Sequence, residues 1–235
     1  MIKSPVSTAL FALALLPGTA AAQPTPISTC NYDITEPGSY VLVEDLTCDD
    51  DVSSSYGVYI TADDVELRMN GHTIRLAEGQ LFGIAVQQKS RVEIQGPGAV
   101  VGPADYGLQL YETYASRVTG ITVTGSQTGI RMVLGSDNVL INNTIRENLA
   151  GVALAGSLNN ILRANQVIAN GEYGILLFSV GSPDWRQYPS GNIFQANVAR
   201  DSARDDIFEE GNGSAEFLNT WVKNFFGTTN SPCVQ

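Results

Sequence analysis

The chain has 235 residues, 43% hydrophobic and 16% charged, which is enough apolar content for one sizeable core and excludes wholesale disorder. Thirteen Lys and Arg against 24 Asp and Glu leave a net charge of -11, which disfavours nucleic acid or an anionic membrane surface as the main partner.

The chain opens as a secretory signal peptide. Met1-Ile2-Lys3 is a short basic start, Ala9 to Leu16 an apolar run, and Thr19-Ala20-Ala21-Ala22 a small-residue cleavage region, giving a leader over 1–22. The apolar run is too short for a permanent anchor, and no later stretch reaches the 18 or so residues a bilayer requires, so the mature chain has no membrane span and is expected to be secreted or periplasmic. Export makes a disulfide between Cys30 and Cys48 the expectation. Cys233 lies at the other end of the chain and, in an elongated fold, too far from them for a bridge.

Beyond an N-terminal segment over 23–56, Gly-apolar-x-apolar tetrapeptides begin at Gly57, Gly83, Gly107, Gly129, Gly151 and Gly174, spaced by 22 to 26 residues. Each is followed by a second short strand, such as Val65-Glu66-Leu67, Val92-Glu93-Ile94 or Val139-Leu140-Ile141, then by a third apolar pair such as Val167-Ile168. A degenerate seventh unit starts near Asp205-Asp206-Ile207. A unit of about 22 residues with three short alternating strands cannot bury its apolar face alone; stacked units bury it while pairing each strand with the next coil. The expectation is an all-β, single-domain parallel β-helix of about seven coils over 57–210, with a C-terminal cap over 211–235 built on Phe217, Trp221, Phe225 and Phe226. A leucine-rich repeat would need a fixed Leu ladder and consensus Asn, which these units lack. Asn138, Asn160 and Asn192, and then Asn143, Asn165 and Asn197, recur at matching turn positions, where Asn tolerates the left-handed conformation and can hydrogen-bond its equivalent one coil away.

Ile34 to Tyr40 leading to Leu46-Thr47-Cys48, and the run VELRMNGHTI over Val65 to Ile74, resemble the opening of the right-handed parallel β-helix repeat proteins of the pectate-lyase-like superfamily. The resemblance spans nearly all of the mature chain. It implies a three-faced right-handed solenoid, commonly exported, whose enzymatic members cleave or epimerise acidic polysaccharides on the outer face of one sheet. The motifs of the polygalacturonase-type hydrolases are missing except for the Asp205-Asp206 pair, so hydrolysis by a defined carboxylate pair is poorly supported. The epimerase and lyase relatives use a His and a Tyr as proton carriers; the sole histidine here, His72, falls in a turn-strand segment and reads as structural. One His and three Met leave few ligands for copper, which disfavours the copper-assembly members, and with no CxxC or Cys/His cluster no metal site is expected. No cofactor is expected either; calcium is the one cation that Asp49-Asp50-Asp51 could recruit, and without an ordered cage the run reads as a solvated loop.

Strand alternation places Tyr59, Ala85, Gln87, Gln109, Tyr111, Arg131, Val133, Ala153, Leu176 and Phe178 on one outward sheet face with a single charge. At its edge lie Tyr111-Glu112, Asp137, and the long excursion Ser179 to Ser190, which carries Asp184, Trp185, Arg186 and Tyr188. If the excursion folds back over Arg131, these residues line one groove: Arg131, Tyr111 and Arg186 as candidate catalytic groups, and Glu112, Asp137, Asp184, Trp185 and Tyr188 as substrate-binding groups. The bland alternative packs Trp185 and Tyr188 against Phe178. Two functions therefore stand: a non-catalytic exported protein binding polysaccharide or cell-surface glycan, favoured by the charge-poor face, and a small lyase or epimerase acting on uronate-containing glycans.

Overall fold

The computed structural model describes residues 23–48, 56–182, 185–210 and 218–230. The leader, the Asp49-Asp50-Asp51 run, Asp184, Phe217 and Cys233 lie outside the described residues. All its regular elements are β-strands, wound into a parallel, right-handed solenoid. One sheet holds eight parallel strands: Tyr32–Ile34, Tyr56–Ile60, Phe82–Gln87, Tyr106–Tyr111, Thr128–Val133, Ala150–Ala155, Tyr173–Phe178 and Asp205–Glu209. The other two faces are joined into a single 15-stranded sheet, because Glu93–Val101 and Arg117–Thr124 run round the corner between them without a break. Strands in solenoid register extend beyond 57–210 on both sides, from Thr25–Ile27 to Phe225–Phe226.

The complete coil that starts at Gly129 displays the local logic. Its first strand ends at Val133, and four residues take a left-handed backbone: Leu134, Asp137, Asn142 and Glu147, with φ of 53°, 60°, 54° and 57°. The same four positions recur in the next coil at Gly156, Asn159, Ala164 and Ala169. The last three of these corners are each followed by a buried asparagine. Asn138 donates its backbone N–H to Oδ1 of Asn160 at 2.9 Å, and its Nδ2 donates to the same oxygen at 3.1 Å and to the carbonyl of Thr113 at 2.7 Å, so one side chain bonds to the coils on either side. The ladder continues from Asn160 to Asn192 and Asn219, and a second runs from Asn143 through Asn165 and Asn197 to Asn224. A third joins Asn148 to Asn170. The stacked rows expected from the sequence are present, but the stacked asparagine is not the left-handed residue. Its predecessor takes that conformation, which turns the asparagine inward where it satisfies backbone groups that no water reaches.

The repeat glycine has a steric reason. A Cβ on Gly129 would lie 2.5 Å from Ile145 Cγ2 and 2.7 Å from the carbonyl oxygen of Gly151, and one on Gly151 would meet Gly174 and Val167 in the same way. The first strand thus presses against the third face at this point, and only a residue without a side chain permits it. In the last coil the position is taken by Asp206, whose buried carboxylate accepts the backbone N–H groups of Ser202, Gly227 and Thr228. The core includes a continuous column of Ile, Leu and Val: Val58, Ile84, Leu108, Ile130, Val152 and Ile175.

At the N-terminal end Cys30 and Cys48 form the expected disulfide, with Cα atoms 5.6 Å apart. At the C-terminal end Trp221 stacks on Phe194, ring centroids 3.9 Å apart, and Phe226 packs on the core, whereas Phe225 is 62% exposed.

Replacing Asn160 by Ala strands the buried N–H of Asn138 and is expected to destabilise the protein by about 1–3 kcal/mol, read from the denaturant midpoint. Gly129→Ala is expected to cost about as much through overpacking; a wild-type midpoint in either variant would contradict these roles. Opening the disulfide by a Cys30→Ser, Cys48→Ser double substitution, which frees an 18-residue separation, is expected to remove about 3 kcal/mol.

Candidate functional site

The outward side of the eight-stranded sheet carries three rows of side chains, aligned along the solenoid axis because parallel in-register pairing places equivalent residues above one another. The central row is Tyr59, Ala85, Gln109, Arg131, Ala153, Leu176 and Phe208. Beside it run Gln87, Tyr111, Val133, Ala155 and Phe178. All ten residues assigned to this face from alternation lie on these two rows, yet they are not uniformly exposed. Ala85, Val133, Ala153 and Gln109 are buried among larger neighbours.

The third row consists of the residues that precede each repeat glycine: Tyr56, Phe82, Tyr106, Thr128, Ala150 and Tyr173. Alternation counted back from Val58 or Ile84 sends these inward. They point outward because the pairing skips the glycine and the alternation restarts there. Four aromatic residues in this one position were the available sequence signal. Phe82 stacks on Tyr106 with centroids 5.9 Å apart, and the Arg131 guanidinium lies 4.6 Å above the Tyr106 ring, a cation–π contact. Tyr56 and Tyr59 approach to 5.4 Å.

Between these rows lies a cleft of about 240 Å³, walled by Tyr59, Phe82 and Tyr111, floored by Ala85, and lined by the amides of Gln87 and Gln109. Tyr59 donates its hydroxyl hydrogen to Oε1 of Gln87. Gln109 is 8% exposed, and its Oε1 is buried with no hydrogen-bond partner. No charged side chain lines the cleft. At its margins, Tyr56 donates to Asp33 at 2.7 Å, and Gln88 donates to Glu112 at 2.9 Å. Burial and the Asp33 carboxylate push the Tyr56 phenol up to about 12. Burial and then Asp33 raise Tyr59 as well, and the hydrogen bond to Glu112 raises Tyr111, with Arg131 opposing weakly.

Of the candidate site residues, the structure brings Tyr111, Glu112 and Arg131 to one region of this face. Glu112 and Asp137 sit at left-handed corners, φ 46° and 60°, and Asp137 accepts a hydrogen bond from Ser136 at 2.7 Å. The excursion folds as an antiparallel hairpin, Val180–Ser182 against Trp185–Gln187. Gln187 ties it to the carbonyl of Gly156 at the corner one coil beyond Arg131. Arg186 pairs across the hairpin with Gly181 and lies within electrostatic reach of Glu210, whose carboxyl is held low chiefly by the hydroxyl and backbone N–H of Ser179. Tyr188 packs against the core. Trp185 contributes backbone to the hairpin, and Asp184 falls outside the described residues. His72 lies at a corner between the second and third faces, 3.4 Å from Asp45. Among the described residues no three of His, Cys, Asp and Glu converge as a metal site, and no helix is long and apolar enough to cross a membrane.

Asp33→Asn is expected to bring the Tyr56 titration down from about 12 while burial keeps it above 10, followed by phenolate absorbance; an unchanged titration would remove the assigned electrostatic cause.

Comparison with known proteins bears on the fold. Among solved structures, the chain is similar to the periplasmic alginate epimerase AlgG, with 15% identity and a TM-score of 0.63, covering 85% of this chain and 47% of that one. A point mutant of the same epimerase gives 14% identity and 0.61, with 83% and 46% covered. The Streptococcus pneumoniae surface protein and adhesin PfbA aligns at 11% identity with a TM-score of 0.49, covering 92% and 70%. The chain thus spans just under half the length of the epimerase structures, and at these identities the likeness is one of fold. No curated protein matches the chain by sequence. Residues 56–228 match the model of the right-handed β-helix region, and with most of its length matched the chain belongs to that family.

Proposed function

We propose that this is an exported, non-catalytic β-helix protein that binds polysaccharide or cell-surface glycan on the outward face of its eight-stranded sheet. The observation that carries the reading is the cleft itself. Aromatic rings from successive coils stand beside amide groups, the combination that stacks on sugar rings and hydrogen-bonds their substituents, and no charged group lines it. The disulfide and the leader-like first 22 residues support export. The fold likeness to a periplasmic alginate epimerase makes a glycan ligand a natural choice without fixing it.

Proton transfer fits the face less well. A general base has to be deprotonated near neutral pH, whereas Tyr59 and Tyr111 are both shifted upward. One observation keeps the uronate lyase or epimerase reading alive: Tyr111 and Arg131 share the face closely enough to interact electrostatically, so a carboxylate held by Arg131 would lie near a phenolic acid. In that reading Arg131 neutralises the uronate and Tyr111 moves the proton.

The test is retention and calorimetry on neutral, N-acetylated and uronate-containing polysaccharides, with absorbance recorded for unsaturated products. Binding that Phe82→Ala and Tyr106→Ala each weaken about tenfold or more, with no absorbance growth, is the expected outcome. Absorbance growth that Arg131→Ala abolishes would establish the lyase instead. Binding unaffected by either aromatic substitution would place the ligand elsewhere.

A further inference from the structure

The lining of the cleft narrows the ligand. We infer that it accommodates the acetamido group of an N-acetylated, uncharged hexosamine residue within a glycan, an inference that rests on the glycan-binding reading above and specifies it.

A buried polar atom without a partner costs free energy, and native structures seldom leave one. Gln109 Oε1 is such an atom, on a side chain more than nine-tenths buried that helps line the cleft. It is an acceptor, so the group that completes it must donate. The oxygen of the neighbouring Gln87 accepts the Tyr59 hydroxyl, whereas Gln109 Oε1 accepts from no group of the protein. Close to this acceptor lies an apolar floor, the outward methyl of Ala85, between the rings of Phe82 and Tyr111. An acetamido group supplies both requirements two bonds apart: an N–H for the amide oxygen and a methyl for the apolar floor. A hydroxyl satisfies the first and leaves the second unfilled. A carboxylate donates nothing at neutral pH and would enter a lining with no cation, since Arg131 is engaged on the Tyr106 ring outside it. The same glutamine and floor therefore select against a uronate.

Tetra-N-acetylchitotetraose, here chitotetraose, and cellotetraose test this directly, because they share a β-1,4-linked glucose-type backbone and differ in the substituent at C2, acetamido against hydroxyl. Tetragalacturonate provides the acidic comparison. By titration calorimetry against the full mature chain, chitotetraose is expected to bind about tenfold or more tightly than cellotetraose, the combined effect of one buried methyl and one hydrogen bond. Tetragalacturonate is expected to bind more weakly than both. Gln109→Leu keeps the side chain's bulk while deleting the acceptor and should remove most of the preference; circular dichroism and the thermal midpoint verify that the variant folds, and Gln109→Met serves if it does not. Equal affinity for the two neutral oligomers, a preference that survives both substitutions, or tightest binding of tetragalacturonate that is lost in Phe82→Ala would overturn the acetamido assignment and leave the glycan face standing. Failure of all three oligomers to bind, or binding indifferent to Phe82→Ala, would overturn both.

Discussion

Every other feature of this molecule depends on the corner formed by a left-handed residue followed by a buried asparagine. A coil of about 22 residues has to change direction several times without water to solvate the backbone groups exposed at each bend, and the asparagine amide supplies both a donor and an acceptor in the right place. Because the acceptor belongs to the next coil, corner and stack form together. A single coil has no reason to adopt the corner, and the stack has no internal satisfaction without it. This is the solenoid version of cooperativity, in which neighbouring repeats stabilise one another more than any repeat stabilises itself.

The proposed ligand-binding face follows from the same constraint. Corners that repeat every 22 residues hold the strands between them in fixed register, so side chains on the outer face stand in straight rows rather than a drifting spiral. Tyr59, Gln109 and Arg131 are far apart in sequence, yet they are set in line by hydrogen bonds that none of their side chains makes. Such a face is pre-organised, since its spacing comes from the backbone, and ordering it on binding has little entropic cost. The hairpin at Val180–Gln187 shows the other side of this arrangement: an insertion of ten residues between Asn160 and Asn192 leaves the ladder intact, because it departs and returns at one corner.

Much of this architecture was legible in the sequence. The Gly-apolar-x-apolar units announce stacking, the recurring Asn positions announce ladders, and the two outward rows built on Tyr59 and Tyr111 follow from counting by twos. The row of Tyr56, Phe82 and Tyr106 was not legible by that count, because the glycine after each breaks the alternation on which it relies; close approach between the first strand and the third face imposes the break, and that approach exists only once the coil is closed. The acidic candidates Glu112 and Asp137 stood out as polar turn residues, and their positions prove to be left-handed corners, where a backbone requirement governs as much as any ligand. The path of the excursion was equally hidden, since its direction is set by the tie from Gln187 to Gly156, a contact between residues with no periodic relation.

The chemistry of the face carries the distinction between holding a sugar and transforming one. Acid–base work requires groups poised to exchange a proton near neutrality, and an environment arranged for it moves their titration toward that range. Here the movement runs the other way. Tyr56, Tyr59 and Tyr111 are all driven upward, the first two mainly by burial and the third by an adjacent carboxylate, so each phenol is fixed more firmly as a neutral hydrogen-bond donor. A neutral phenol beside an apolar floor and an amide acceptor is well matched to recognising hydroxyls and acetamides, whose protons stay where they are. The shifts that keep these phenols neutral make them poor bases, so binding and turnover at this site are separable by experiment, and the aromatic row, rather than the acidic corners, is the proposed place of the ligand.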